Sequence, residues 1–354
     1  MLDFALYPLT VNLAVFATAS LAVWIAGGRV VKYVDAIADK TKIGQAFAGM
    51  LLLGGITSLP EIAAASGASW IGNAPLSISN LLGSLCMNMV LLCVADATLS
   101  RVAITSVVPG AATLLQGALG IVALALTAGA IVVGDVDVLG VGVWSLILFG
   151  FIVFAFWLAS RYAKRNPWRT DRSRTKKVLH AANADGPTPP EQTRLERKPL
   201  AWLTALTTFF GAIILVAGFT ISQTADVIAK QTGLGAGFIG LVFVGFTTAL
   251  PNFSSIVAAV RLHRFEMAIS DVFGANLFNL GLILLADAVF AGGPILNHAG
   301  RFEFISALLG IVLTAIYLIG LLERDDRTMF NMGYDSVAVL AVYFGGLALL
   351  YFVR

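Results

Sequence analysis

Long apolar runs alternate along the chain with short polar breaks. A membrane span needs about 20 mostly apolar residues. Ten stretches meet that length, near 9–27, 44–68, 75–97, 108–132, 138–160, 200–222, 234–260, 266–291, 303–322 and 335–353. The first is counted as a span because Asp3 precedes it and no Lys or Arg does, unlike a cleaved leader. The pattern predicts an all-α membrane protein of ten transmembrane helices. Composition agrees: 58% of the 354 residues are hydrophobic and 12% charged, with a mean hydropathy of +0.88. Such a chain is not a soluble globular domain, a disordered segment or a nucleic-acid binder. Its two cysteines, Cys86 and Cys93, share one predicted helix and read as packing residues.

Charge orients the spans. Segment 161–199 holds 11 of the 23 basic residues, and its stretch 183–190 (NADGPTPP) reads as a flexible linker. Placed in the cytoplasm by the positive-inside tendency, it brings 20 basic residues inside and leaves Lys230, Arg301 and Arg354 outside. Both termini then lie outside an inner (plasma) membrane. The chain divides into a five-helix repeat over 1–160, a basic cytoplasmic loop over 161–199, and a second five-helix repeat over 200–354.

The two halves resemble each other. GGITSLPE at 54–61 matches GFTTALPN at 245–252, and SNLLGSLCMN at 79–88 matches SDVFGANLFN at 270–279. Both matches are offset by 191 residues, which also pairs Gly27 with Gly218, Asp35 with Asp226 and Asp96 with Asp287. Five spans per half turn the second copy over in the membrane. Inverted repeats of this kind build many secondary transporters, with the substrate held between the copies at mid-membrane.

The repeated residues carry the chemistry. Pro60 and Pro251 are predicted to break their helices and free the carbonyls of Ile56 and Thr247. A freed carbonyl at membrane depth needs a polar partner, and a dehydrated cation is one. Thr57, Ser58 and Thr248 add hydroxyl oxygens at that level, and Glu61 an intramembrane carboxylate. On the next helix Asn80, Ser84 and Asn88 share a face at i, i+4, i+8, and the second copy places Asp271, Ala275 and Asn279 alike. Oxygen donors without His or Cys favour hard cations such as Na⁺ and Ca²⁺.

These motifs resemble those of the cation/Ca²⁺ exchanger superfamily, in particular the prokaryotic Na⁺/Ca²⁺ exchanger membrane region. Its two α-repeats pair a G-T-S-L-P-E type motif with a G-N-x-x-G-S-N-x-x-[ND] type motif; here they span 54–88 and 245–279. The resemblance implies that Glu61 is a carboxylate ligand shared by Ca²⁺ and Na⁺. It further implies Thr57, Ser58, Ser84, Asn88, Thr248 and Asn279 as cation ligands, with Asn252 at the position of the family's second acid. It implies Ca²⁺ efflux against Na⁺ or H⁺ entry, with a sliding or rocking pair of gating helices.

The departures also matter. Asn252 replaces an acid, and Ala249 and Ala275 replace serines, so the centre keeps one formal negative charge. Competition of cation and proton for a lone carboxylate makes proton coupling a serious option. Asp271, where the first copy has Asn80, lies about 12 Å before Asn279 along its helix. It is either an approach or second-site carboxylate, grouped with Asn80 and Asn276, or a polar residue near a helix start. Asp96 and Asp287, at span ends, read as structural, and Asp35 and Asp226 as loop residues.

G-x-G-x-x-G at 235–240 has no preceding strand and reads as close helix packing. The chain shows no catalytic constellation, and no cofactor is expected beyond the transported Ca²⁺, Na⁺ or H⁺. Its partners are inorganic cations and the bilayer, with one copy sufficient for transport. The leading expectation is a secondary cation antiporter centred on Glu61. The competing ones are a monovalent cation/H⁺ exchanger without Ca²⁺ transport and a degenerate, non-transporting membrane sensor or scaffold.

Overall fold

The computed structural model describes residues 4–41, 58–99, 104–106, 110–163, 198–261, 265–323, 328–329 and 332–353. These residues form almost only helices. In the first half they are α1 (Leu9–Thr41), α2 (Leu59–Trp70), α3 (Ala74–Leu99), α4 (Ala111–Val133) and α5 (Val143–Ala163). In the second they are α6 (Leu200–Thr232), α7 (Ala236–Arg261), α8 (Phe265–Val289), α9 (Arg301–Glu323) and α10 (Tyr334–Val353). Among the described residues nine helices are long and apolar enough to cross a membrane. The tenth predicted span, 44–68, contributes α2; its first part, with Thr57, lies outside the described residues. The fold is ten transmembrane helices in two inverted five-helix repeats.

The 191-residue offset extends well beyond the sequence motifs. It relates Leu9 to Leu200 and Thr41 to Thr232, the ends of α1 and α6. It also relates two antiparallel hairpins, β1 (Asp137–Val138) with β2 (Val141–Gly142), and β3 (Thr328–Met329) with β4 (Met332–Gly333). Residues 138–142 were expected to open a span and instead turn back before α5. Leu139 and Gly140 at the tip both have positive φ, 59° and 84°, the backbone that a two-residue hairpin requires.

α1 and α6 each run to 33 residues, roughly 50 Å at 1.5 Å per residue, past the ends expected at 27 and 222. Their final turns carry Lys32, Asp35 and Lys40, or Asp226, Lys230 and Gln231. Hydropathy marks where lipid ends, whereas the helix continues while its backbone bonds are satisfied. Asp35 and Asp226 therefore lie on helices and not in loops.

α2, α3, α7 and α8 form the centre, and the halves interlock around it. α3 packs against α9 and α10 of the other half, and α8 against α4 and α5. α1 and α6 lie along each other at the periphery, α1 against α7 and α6 against α2. Small residues set those approaches: a Cβ added at Gly27 would lie 2.5 Å from Pro251 Cγ, and one at Gly218 would collide with Ala63 Cβ.

Asp96 and Asp287 fasten the halves together. Asp96 accepts hydrogen bonds from Ile104 N (2.8 Å), Gly333 N (3.0 Å) and Ser336 Oγ (2.8 Å). Asp287 accepts them from Ile295 N and Gly142 N, both at 2.7 Å. Each aspartate ends a central helix and holds the hairpin of the opposite half.

Candidate functional site

Ser58, Glu61, Asn80, Ser84, Asn88, Thr248, Asn252, Asn276 and Asn279 meet where α2, α3, α7 and α8 converge, and none is more than 5% exposed. Ser58 is the residue before α2, and its side chain makes no capping bond. Pro60 sits in the first turn of α2, where a missing N–H leaves no intrahelical bond unmade. Pro251 differs from expectation, because it lies inside continuous helix and does not break α7. The irregularity falls earlier in α7, as a π turn over Gly240–Val244. A π turn widens the coil locally, so this helix takes up its distortion without unwinding at the proline. Thr247, expected to offer a free carbonyl, uses its hydroxyl toward Ser20 Oγ of α1 at 3.2 Å.

A hydrogen-bonded chain links the two halves through the carboxylate. Asn279 Nδ2 donates to Ser84 Oγ at 3.2 Å, and Ser84 Oγ donates to Glu61 Oε1 at 2.9 Å. From the other side Asn252 Nδ2 donates to Glu61 Oε1 (3.5 Å) and to Asn88 Oδ1 (3.2 Å). Asn88 Nδ2 then donates to Asn276 Oδ1 at 3.0 Å. Thr248 Oγ1 is 3.3 Å from Asn80 Oδ1 and from the Gly245 carbonyl oxygen. Gly83 and Gly245 allow α3 and α7 to touch backbone to backbone, since a Cβ at Gly245 would lie 2.6 Å from the Gly83 carbonyl carbon.

The chain leaves oxygens over. Glu61 Oε2, Ser58 Oγ and Asn279 Oδ1 are buried and have no hydrogen-bond partner among the described residues. An unpaired buried polar atom costs about 1–3 kcal/mol, and more when charged. Among the described residues no Lys, Arg or His lies within ion-pair distance of Glu61. A carboxylate, hydroxyls and amides, each able to turn an oxygen inward, make a donor set suited to a hard cation. Cys86 and Met87 lie in the apolar core.

The structure thus gathers Glu61, Ser58, Ser84, Asn88, Thr248, Asn252 and Asn279, while Thr57 lies outside the described residues. Asn276, grouped by sequence with an approach to the site, stands at the centre on Asn88. Its repeat mate is Leu85, so self-comparison could not single it out; its position one turn before Asn279 could have. Asn80 is also central, on Thr248. Asp271 stands apart, with Oδ2 accepting from Ser255 Oγ at 2.5 Å. The sequence reading passed over Glu303, which is buried and accepts from Ser79 Oγ (3.0 Å) and Gly300 N (2.7 Å). Its position three residues into α9 is that of a helix-capping acid.

A family model described as sodium/calcium exchanger protein matches residues 11–158 and 202–352. The chain belongs to the sodium/calcium exchanger protein family. CaxA of Alkalimonas amylolytica is 24% identical over 311 residues, covering 87% of this chain and 90% of that protein. The inner membrane protein YrbG of Escherichia coli (strain K12) is 27% identical over 104 residues, 29% of this chain and 32% of that one. Two solved structures share the fold. The sodium-calcium exchanger NCX_Mj superposes with a TM-score of 0.56 at 17% identity, over 96% of this chain and 99% of that one. The H⁺/Ca²⁺ exchanger CAX superposes with a TM-score of 0.65 at 13% identity, over 97% and 86%. The protein is therefore a multi-pass membrane protein of a cation-exchanger family, and its own two repeat motifs converge on one buried carboxylate.

Proposed function

We propose that this exchanger exports Ca²⁺ in return for Na⁺ or H⁺, by alternating access to the chamber around Glu61. One observation carries the reading: a wholly buried carboxylate, one oxygen of which has no hydrogen-bond partner among the described residues, inside an oxygen-lined chamber built from both inverted repeats. Glu61, Thr57 and Thr248 are the proposed primary metal ligands; Ser58, Ser84, Asn88, Asn252 and Asn279 complete the shell. Empty and ionised, the chamber would hold a net charge in a low-dielectric interior, which is costly. Reorientation then requires a bound cation or proton, and that requirement couples the two fluxes. The loop 161–199 is assigned to the cytoplasm of the inner membrane, with both termini outside, and one copy is the transport unit.

A second reading is exchange of a monovalent cation for H⁺ without Ca²⁺ transport. Asn252 favours it, because it leaves the centre with one formal charge against the two of a divalent ion. Ca²⁺ flux into proteoliposomes under imposed Na⁺ or pH gradients decides between them. Gradient-driven Ca²⁺ flux that Glu61→Gln abolishes is the expected result. Na⁺ flux coupled to H⁺ with no Ca²⁺ movement would select the second reading, and flux retained in Glu61→Gln would remove Glu61 from the mechanism.

A further inference from the structure

Asp271 lies on α8 eight residues before Asn279 and on the same face, about 12 Å away along the axis. Its carboxylate Oδ2 is 2.5 Å from Ser255 Oγ, and that hydroxyl is 2.8 Å from the carbonyl oxygen of Asn252. A hydroxyl has one hydrogen to donate. Its single hydrogen serves two acceptors, and the Asn252 carbonyl also accepts the Ile256 N–H within α7, so the Asp271 carboxylate has only a shared hydroxyl to offset its charge. Among the described residues no cationic side chain lies within ion-pair distance of Asp271. The group is also joined to the central chamber through Asn252, whose backbone faces Ser255 and whose side chain reaches Glu61.

The repeat mates show that this arrangement is particular to one side. Asn80, the mate of Asp271, is fully buried and tied to Thr248. Ala64, the mate of Ser255, is buried, and so is Gly83, the mate of Gly274. Asp271, Ser255 and Gly274 are all half-buried. The side of Asn80 is packed, and its acid, Glu303, is already held by Ser79 Oγ and Gly300 N, whereas the side of Asp271, at the N-terminal half of α8, is more open.

From this we infer that Asp271, with Ser255 Oγ and the Asn252 carbonyl oxygen, forms a loading site for the transported hard cation. It serves only the face reached from the N-terminal end of α8, which is cytoplasmic in the orientation proposed above. The inference rests on the exchanger reading and deepens it. A half that has lost its central acid holds a carboxylate two helical turns away, where it attracts the ion without staying in the reorienting centre.

The test is radiolabelled Ca²⁺ flux through the full chain in proteoliposomes, with orientation scored by accessibility of an N-terminal tag and Ca²⁺ added to one face at a time. Asp271→Asn should raise the half-saturating Ca²⁺ concentration about tenfold at the α8 N-terminal face and leave the other face within about twofold. Asp271→Glu should keep the wild-type asymmetry. Moving the carboxylate, as Asn80→Asp with Asp271→Asn, should shift the higher affinity to the opposite face. An equal loss at both faces would make Asp271 part of the central electrostatics, and no change at either face would leave it no role in loading; both overturn the inference. If the unaltered protein carries no Ca²⁺, the exchanger reading fails and this one with it. Normal flux with unmoved sidedness defeats the Asp271 assignment alone.

Discussion

At the scale of single residues, Asn252 has the most consequence. It is the repeat mate of Glu61 and uses its amide to donate toward both Glu61 and Asn88. An aspartate there has no N–H to give, so Glu61 and the new carboxylate would repel in the absence of a cation. Asn252→Asp should therefore lower the melting temperature in chelator and make it strongly dependent on added Ca²⁺. Thermal unfolding in detergent across a Ca²⁺ titration reads this directly, since a ligand that binds only the folded state stabilises it in proportion to its affinity. Glu61, Ser84, Asn88 and Asn279 were legible as a polar face inside apolar sequence. Asn276 was visible too, but its place was not, because the contact with Asn88 crosses from one half to the other.

Among the elements, the inverted pair α3 and α8 is held at both ends by buried aspartates. Asp96 and Asp287 are repeat mates, and each takes backbone N–H bonds from its own half's turn and from the other half's hairpin. Removing either carboxylate orphans two buried donors. Asp287→Ala should cost about 2–4 kcal/mol, seen as a lower melting temperature in detergent with unchanged ion selectivity in flux assays. Asp96→Ala should cost more, because Ser336 Oγ also loses its acceptor. Sequence reading anticipated a structural role for this pair, since carboxylates at span ends lie where backbone groups need partners. The π turn in α7 was not anticipated, because no residue type encodes an extra residue per turn, and packing against Gly83 of α3 decides it.

For the molecule as a whole, the interlocking of the halves matters most. α3 is almost wholly buried, against α9 and α10 of the second half, and α8 lies against α4 and α5 of the first. Neither half covers its own central helix, so neither should be stable alone. Expressed separately, 1–180 and 181–354 should aggregate or be degraded. Expressed together from a split within 161–199, they should assemble into a monodisperse particle with flux close to that of the intact chain. Size-exclusion chromatography and Ca²⁺ flux of the co-expressed pair check this.

The amino-acid sequence by itself determined the apolar spans, the 191-residue repeat and the single central acid, because hydropathy, periodicity and residue type are local properties that survive without coordinates. The length of α1 and α6 past residues 27 and 222, the continuity of α7 through Pro251, and the joining of Asn276 to the centre were decided only by tertiary structure. Each of these depends on what a helix meets across the interface: a partner that satisfies its final turns, a glycine that makes room for a proline ring, an amide supplied by the opposite repeat. A chain of oxygens contributed alternately by two inverted copies is a property of their packing, and no single stretch of sequence contains it.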